Sequence, residues 1–169
     1  MSKALVSYVS IHHGNTEKVA AAIAATLNAH LVPVNEADAG TIEQYDLIGF
    51  GSGVYFGRLH RSLLDFVDAL PMMRGRAVFL FSTSGLRRVR LVHDFSRPLK
   101  TRLERKGFAI VGEFSCRGYD TFGAAMLVGG IRKGHPNARD LERAEEFARA
   151  LRDRGDQPLA IAGPGAPYL

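Results

Sequence analysis

Residues 10–17, with the sequence Ser-Ile-His-His-Gly-Asn-Thr-Glu, limit the possible folds of this chain more than any other segment. The preceding residues 4–9 are mostly apolar and predict a short buried strand. After the segment, apolar residues recur at helical spacing, at Val19, Ala20, Ile23 and Leu27. A strand that turns through glycine and hydroxyl residues into a helix directs backbone N–H groups and the positive helix end towards one point. The segment therefore predicts a site for a phosphate group.

The spacing within this loop excludes two common nucleotide-binding motifs. The pattern G-x-x-x-x-G-K-[ST] is absent, because Lys18 follows Glu17 and no second glycine precedes it. The dinucleotide pattern G-x-G-x-x-G is absent as well, because Gly14 stands alone. A single terminal phosphate is then the expected ligand. Taken by itself, the same turn would also serve as a helix cap, with Asn15 or Thr16 as the capping residue.

Strands and helices are predicted to alternate along the rest of the chain. Apolar runs predict strands at residues 4–9, 30–34, 45–51, 77–82 and 108–116. Helical periodicity predicts helices after the phosphate loop, near residues 60–70, from near residue 96 and at residues 137–153. Pro33 suggests an edge position for the second strand, and Pro98 is expected to start or kink the third helix. This alternation is typical of the α/β class, in which helices cover both faces of a parallel sheet.

The phosphate loop resembles that of the flavodoxin family, in which a strand ending in Ser or Thr leads into Gly-Asn-Thr-Glu and a helix. Here the strand ends at Ser10, and His12 and His13 stand where the family more often has Ser or Thr, in a loop one residue longer. The resemblance extends over roughly residues 3–154 and implies a doubly wound, five-stranded parallel sheet of order 2-1-3-4-5, a three-layer sandwich. We expect one domain over residues 1–154. Residues 155–169 hold three of the seven prolines and are expected to be irregular.

Ligands of such sheets bind beyond the carboxyl ends of the strands, at the point where the strand order reverses. Glycine and small polar residues are concentrated at three later strand ends, in segments 51–57, 82–85 and 116–120. Glycine allows the backbone to approach a flat polar ring, and an aromatic side chain supplies a stacking face. These are the requirements of a flavin ring.

The resemblance implies that the cofactor is FMN, with the first loop on its phosphate and the later segments on its ring. Tyr55 is expected to stack on the flavin, with Phe56 as the substitute. Alternatively, Tyr55 is an ordinary half-buried aromatic residue and Cys116 a structural one. The cofactor-binding residues expected in this way are Ser10, His12, His13, Gly14, Asn15, Thr16, Ser52, Gly53, Val54, Tyr55, Phe56, Gly57, Ser82, Thr83, Ser84, Gly85, Cys116, Gly118 and Asp120. No catalytic side chain is assigned, and no Cys/His spacing predicts a metal site.

Composition agrees with a globular domain. The chain has 169 residues, of which 46% are hydrophobic, and it contains no apolar run of about 18 residues that would predict a membrane span. No signal peptide precedes the first strand, and Cys116 is the single cysteine, so no internal disulfide forms. Both features predict a cytoplasmic protein.

The formal net charge of +5 is unusual for this family, whose electron carriers are commonly acidic. Residues 86–106 contain eight Lys or Arg residues. This segment is interpreted either as a solvated helix face or as a docking surface near Arg87, Arg88 and Arg90 for an acidic redox protein or an anionic substrate. Arg87 and Arg88 would also make full reduction of the flavin easier. Nucleic acid is an unlikely partner, because no aromatic-interleaved basic groove is present.

The leading functional hypothesis is electron transfer through non-covalently bound FMN, with a redox protein as partner. A second hypothesis is a small FMN-dependent oxidoreductase acting on a quinone or a protoporphyrinogen, for which residues 120–137 would shape the pocket. A third is a cofactor-free interaction module. A response-regulator receiver is excluded, because the first and third strands end in Ser10 and in Gly51-Ser52 rather than in carboxylates. The oligomeric state is left open.

Overall fold

The computed structural model describes residues 3–11, 14–55, 57–84, 95–117 and 134–155. Within these ranges, strands and helices alternate as the sequence predicts. The elements in chain order are β1 (Ala4–Val9), α1 (Asn15–Leu27), β2 (His30–Pro33), the 3-10 helix η1 (Ala39–Gln44), β3 (Leu47–Tyr55), β4 (Arg58–Leu59), α2 (Arg61–Ala69), β5 (Ala77–Ser84), α3 (Arg97–Arg105), β6 (Ala109–Arg117) and α4 (Ala138–Gly155).

The described strands form one sheet of order β2-β1-β3-β5-β6, with β4 pairing on β3. All pairings along this path are parallel, and only the short β4 runs antiparallel to β3. The order confirms the predicted doubly wound topology. β2 lies at the edge of the sheet, as Pro33 suggested.

The two faces of the sheet have different cores. The face under α2 and α3 is mainly aliphatic and buries Ile48, Val78 and Leu80 almost completely. The face under α1 and α4 is built on Phe79 and Phe81 of β5. On that face α1 and α4 both bury alanines. Because these side chains are small, the two helices pack closely.

β3 is longer than the predicted strand and ends at Tyr55 rather than at Gly51. Glycines at every second position of β3 leave room for aromatic side chains of the same face. A Cβ atom added at Gly49 would lie 2.3 Å from the Phe79 ring, and one at Gly51 would lie 2.0 Å from the Phe81 ring. The strand continues past these glycines because β5 pairs with it as far as Gly53, and β4 turns back to pair with Val54 and Tyr55.

One further boundary and one additional element differ from the predictions, whereas the third helix starts near residue 96 as expected. β5 runs to Ser84 rather than residue 82, because β6 continues the pairing from Ser82↔Ser115 to Ser84↔Arg117. The third helix starts at Arg97 with Pro98 in its first turn, so the proline begins the helix and does not kink it. η1 was not predicted; Asp38 caps it by accepting a hydrogen bond from the Gly40 N–H. Residues 156–169 and the larger part of the 120–137 insertion lie outside the described ranges.

Candidate functional site

The described parts of the four predicted segments meet at the carboxyl edge of the sheet. In the strand registers, Val9 is opposite Ser52, Ser52 is opposite Ser82, and Ser82 is opposite Ser115. The chain leaves β1 directly into the loop that starts α1. β1 and β3 are neighbours at which the strand order reverses, which is where ligands of doubly wound sheets bind.

The start of α1 is arranged around Gly14. This glycine is the N-cap residue in the left-handed region, with φ of 63°, and it has no side chain with which to cap the helix. The first intrahelical bond runs from the Lys18 N–H to the Gly14 carbonyl, at 3.0 Å. Asn15 and Thr16 lie inside the helix, so the interpretation of either as the capping residue is wrong. A helix start without a side-chain cap attracts an anion through its first-turn N–H groups and the helix dipole.

Hydroxyl groups surround this helix start. The Ser10 Oγ is buried and has no hydrogen-bond partner among the described residues. The Thr16 and Thr83 hydroxyls are 2.9 Å apart and bring α1 and β5 together. One of these two hydroxyls donates to the other, which leaves the proton of the acceptor for a ligand. A buried hydroxyl without a partner costs about 1–3 kcal/mol of stability, and a bound phosphate would remove that cost at Ser10. The donor set therefore fits a phosphate group.

Tyr55 connects the end of β3 to the phosphate loop. Its phenol oxygen accepts a hydrogen bond from the Ile11 N–H at 3.1 Å. The ring meets His60 edge-on, with centroids 5.7 Å apart, and a Cβ atom at Gly53 would lie 2.7 Å from the phenol oxygen. Burial raises the pKa of Tyr55, and the Ile11 hydrogen bond lowers it in part, so the phenol stays neutral at physiological pH. The role of Tyr55 as the flavin-stacking residue stays a prediction.

Ser52 is fully buried and has a structural role in the hairpin formed by β3 and β4. Its hydroxyl donates to the Gly53 carbonyl at 2.7 Å and accepts from the His60 N–H at 3.0 Å. Val54 pairs with Leu59 in the same hairpin, and Gly57 takes a φ of 73° in the turn. The geometry thus places Ser52, Val54 and Gly57 at the carboxyl edge, while the Ser52 side chain is occupied within the chain.

The ends of β5 and β6 contribute further hydroxyls and the cysteine. The Ser82 hydroxyl donates to the Ser115 hydroxyl at 3.2 Å, and Thr83 and Ser84 are buried. Cys116 is buried in the aromatic core, where burial raises the pKa of its thiol to about 12. A thiol of this kind stays protonated and unreactive at neutral pH, as the structural interpretation of Cys116 expects.

The predicted residues His12, His13, Phe56, Gly85, Gly118 and Asp120 lie outside the described ranges, and so do Arg87, Arg88 and Arg90. Within those ranges, the Thr16 hydroxyl contacts that of Thr83, and the Ile11 N–H connects the phosphate loop to Tyr55. Ser10, Gly14 and Asn15 lie in the same loop and helix start.

The sequence analysis missed a polar cluster at the start of α4. The His135 Nδ1 lies 2.5 Å from the Asp140 carboxylate, which also accepts from the Asn137 N–H. The Asn137 side chain accepts in turn from the Asp140 N–H at 3.0 Å. These reciprocal bonds form a capping box, and the Asn-x-x-Asp spacing in the sequence is the signal that would have revealed it.

Comparison with known proteins supports the same fold. The family model described as flavodoxin domain matches residues 5–127. An uncharacterized protein of Methanocaldococcus jannaschii is 46% identical over 149 residues, which are 88% of this chain and 97% of that protein. Flavodoxin 2 from Bacillus cereus is similar in structure, with a TM-score of 0.68 and 21% identity over 90% of this chain and 99% of its own. A flavodoxin from the domain Archaea gives a TM-score of 0.63 with 13% identity over 92% of this chain and 99% of that chain.

No helix within the described ranges is both long and apolar enough to cross a membrane. The sheet order, the loop between β1 and α1 and the match over most of the sequence all agree. The chain belongs to the flavodoxin domain family.

Proposed function

We propose that the chain binds FMN without a covalent bond at the carboxyl edge of the sheet and transfers electrons to or from a partner protein. When bound, the flavin supplies the one-electron and two-electron chemistry. The observation that carries this proposal is the buried Ser10 hydroxyl, which has no partner among the described residues and lies directly after β1, in a loop whose helix begins at a glycine without a side chain to cap it. Both features are unfavourable in the chain alone, and both are relieved by one bound phosphate.

The phosphate is held by donors from the end of β1, the first turn of α1 and the end of β5. Ser10 contributes its hydroxyl from the end of β1, and the first turn of α1 contributes N–H groups. The linked hydroxyls of Thr16 and Thr83 supply one further proton and hold α1 against β5 at the same time. The Tyr8 hydroxyl donates to one Glu17 carboxylate oxygen at 3.3 Å, and the other oxygen lies beside the helix start, 3.6 Å from the position of a Cβ atom added at Gly14.

The ring lies over the ends of β3 and β5. The Tyr55 ring, which Gly53 leaves room for, is the candidate stacking face, and it is neutral at physiological pH. The Ile11 N–H holds the Tyr55 oxygen, so the phosphate loop and the stacking residue are positioned together. This link makes binding of the phosphate and orientation of the ring mutually dependent.

A titration of the flavin-free protein with FMN tests the proposal, and two serines of β1 and its loop provide a matched pair. Ser7 and Ser10 both have a buried hydroxyl without a described partner, but Ser7 lies in the middle of β1. We expect Ser10→Ala to weaken FMN binding by about 10- to 100-fold, since a hydrogen bond to a charged group contributes about 1.5–3 kcal/mol. Ser7→Ala should leave FMN affinity unchanged.

Absorption spectra of the purified protein during stepwise anaerobic reduction test the redox function. A bound flavin that is reduced and reoxidised, and that exchanges electrons with a redox protein, would support the proposal. A protein that takes up no FMN would contradict it, and so would equal loss of affinity in Ser7→Ala and Ser10→Ala. Turnover of a quinone or a protoporphyrinogen at the bound flavin would instead favour the oxidoreductase hypothesis.

A further inference from the structure

Three of the described helices carry an exposed arginine in their first turn. Arg61 is the first residue of α2, Arg97 is the first residue of α3, and Arg139 is the second residue of α4. A cation at this end of a helix is repelled by the positive end of the helix dipole. Local helix chemistry would favour an acidic residue instead, and the first turns of α2 and α3 contain none. Arg97 and Arg139 therefore have no explanation in helix stability, whereas Arg61 forms an ion pair with Asp65 one turn further along α2.

Other basic residues of these helices do have such an explanation. Lys100 pairs with Glu113 at 2.8 Å, and Arg102 pairs with Asp68 at 3.0 Å. The Lys106 ammonium group donates to the carbonyls of Asp68 and Leu70 at the end of α2. Much of the described part of the basic segment 86–106 thus binds within the chain.

Arg97, Arg139 and Arg58 of β4 do not bind within the described part of the chain in this way. All three are exposed, and none forms an ion pair with another described residue. Arg61 does pair with Asp65, but at 3.5 Å and with 89% and 63% of the two side chains exposed, so salt screens the contact strongly.

The arginines lie at the same edge of the sheet as the proposed FMN site. The helices run antiparallel to the strands, so their starts are at the carboxyl edge. The Lys106 carbonyl, after the end of α3, accepts from the Met73 N–H beside the start of β5, and Arg152 near the end of α4 reaches the Thr26 carbonyl near the end of α1. Phe95, just before α3, lies against Gly57 in the turn between β3 and β4.

Few described carboxylates near the ends of β3, β5 and β6 are free to neutralise the exposed arginines. Asp140 is buried and bonded to His135 and Asn137, and Glu113 is held by Lys100 and Ser96. Asp65 pairs with Arg61, and Glu142 lies one turn further along α4. The exposed Glu17, Glu36 and Asp38 lie towards β1 and β2, at the other side of the edge.

We infer that this arginine surface, defined as Arg58, Arg61, Arg97 and Arg139, docks an acidic redox protein. The inference rests on the proposed function and names the partner of the same site. The four side chains come from four elements, with α2 and α3 on one face of the sheet and α4 on the other. They are too widely distributed to converge on one small anion, and they match an extended acidic protein surface instead. Docking there brings the partner to the edge at which the flavin is bound.

Electron exchange with two probe proteins of opposite charge tests the surface. The probes are a plant-type [2Fe–2S] ferredoxin, which is acidic, and cytochrome c, which is basic. Because steering between opposite charges is screened by salt, the rate with the ferredoxin should fall between about 10 and 300 mM salt. The rate with cytochrome c should rise over the same range.

Two triple variants of equal net charge show which edge of the sheet is responsible for electron exchange with the ferredoxin. The test variant carries Arg58→Gln, Arg97→Gln and Arg139→Gln. The control carries Arg74→Gln, Arg105→Gln and Arg154→Gln, which remove exposed arginines at the opposite edge. At low salt the test variant should exchange electrons with the ferredoxin about tenfold more slowly than the wild type, and the control less than about twofold more slowly.

FMN affinity of each variant and calorimetric titration with the ferredoxin separate this inference from the proposed function. Ferredoxin binding that depends on the test arginines supports the docking surface, even if the protein binds no FMN. FMN binding with equal rates in the two triple variants overturns the docking surface and leaves the proposed function intact. Binding of a DNA oligonucleotide through these arginines, without ferredoxin binding, also overturns it.

Discussion

The two edges of the sheet use polar residues in different ways. At the amino edge the described polar groups are largely paired within the chain: the Asp46 carboxylate accepts from the Lys3 N–H at 2.9 Å and from Arg76 at 3.0 Å. At the carboxyl edge the Ser10 hydroxyl is buried and has no partner among the described residues. Since buried polar groups are normally satisfied, the difference supports the proposed ligand site at the carboxyl edge.

Basic residues show the same contrast. At the amino edge Lys106 donates to two carbonyls at the end of α2, where a cation is also favoured by the helix dipole. At the carboxyl edge Arg97 and Arg139 stand in the first turns of helices, where the dipole disfavours them. Lys106 therefore stabilises the fold at the amino edge, whereas Arg97 and Arg139 are available for binding at the carboxyl edge.

The largest expected effect concerns the sheet that carries both edges. Gly51→Ala would place a Cβ atom 2.0 Å from the Phe81 ring, and we expect a loss of about 3 kcal/mol, because the packed core has no room for it. Urea unfolding measures the change. Gly155→Ala is the control, since nothing lies within 4 Å of a Cβ atom there. Equal stability of the Gly51→Ala protein and the wild type would show that the Phe81 ring moves freely, contrary to the packed core.

Removing a cation from the amino edge should affect stability alone. Lys106→Met keeps the alkyl chain but loses the bonds to the Asp68 and Leu70 carbonyls, and we expect a loss of about 1.5 kcal/mol. FMN affinity should not change. Arg105→Met, an exposed neighbour, should cost only a few tenths of a kcal/mol. A drop in FMN affinity in Lys106→Met would contradict the expectation that the amino edge contributes to stability and not to FMN binding.

Removing the Ser7 or the Ser10 hydroxyl, neither of which has a described partner, should raise the stability of the FMN-free protein. Ser7→Ala is expected to stabilise the protein by about 1 kcal/mol, because the buried Ser7 hydroxyl has no described hydrogen-bond partner. Without FMN, Ser10→Ala should raise the stability by a similar amount. With FMN, the wild type should be stabilised more than Ser10→Ala, so the difference in stability should disappear. Thermal unfolding with and without FMN measures both. If FMN stabilised the Ser10→Ala protein as much as the wild type, Ser10 would not contact the ligand.

The smallest expected effect is a change in alkaline stability from Cys116. Burial raises the pKa of this thiol to about 12 in the folded chain, whereas the usual value is 9.0. The folded protein favours the neutral thiol. This preference contributes fully to the stability of the fold below the usual thiol pKa, and the contribution is lost as pH rises towards the pKa of the folded chain. Between about pH 8 and pH 9 the wild type should lose a few tenths of a kcal/mol relative to Cys116→Ala. Urea unfolding at both pH values measures this difference.

Labelling of the native protein with a thiol reagent provides an independent check on Cys116. The folded chain should react slowly at about pH 8, since little thiolate is present, and the unfolded chain should react fast. Rapid labelling of the native protein would contradict the buried, protonated thiol.

The sequence predicted the order of elements and the phosphate loop well, because both rest on local patterns. Apolar periodicity located the strands and helices, and the Gly-Asn-Thr-Glu motif located the start of α1 within one residue. The extent of β3 was predicted less well. Gly51 and Gly53 are typical of a loop in sequence, but β3 continues through them because β5 and β4 pair with it as far as Tyr55.

By itself the sequence determined that the chain is an α/β protein with a parallel sheet and a phosphate-type loop after its first strand, since spacing along the chain carries that information. The tertiary structure alone decided which polar groups are satisfied. Thr16 finds Thr83 across 67 positions of sequence, Lys106 finds Asp68 across 38, and Ser10 finds no described partner. Hydrogen bonding depends on distance in space, and only folding brings such residues within reach or leaves one of them without a partner.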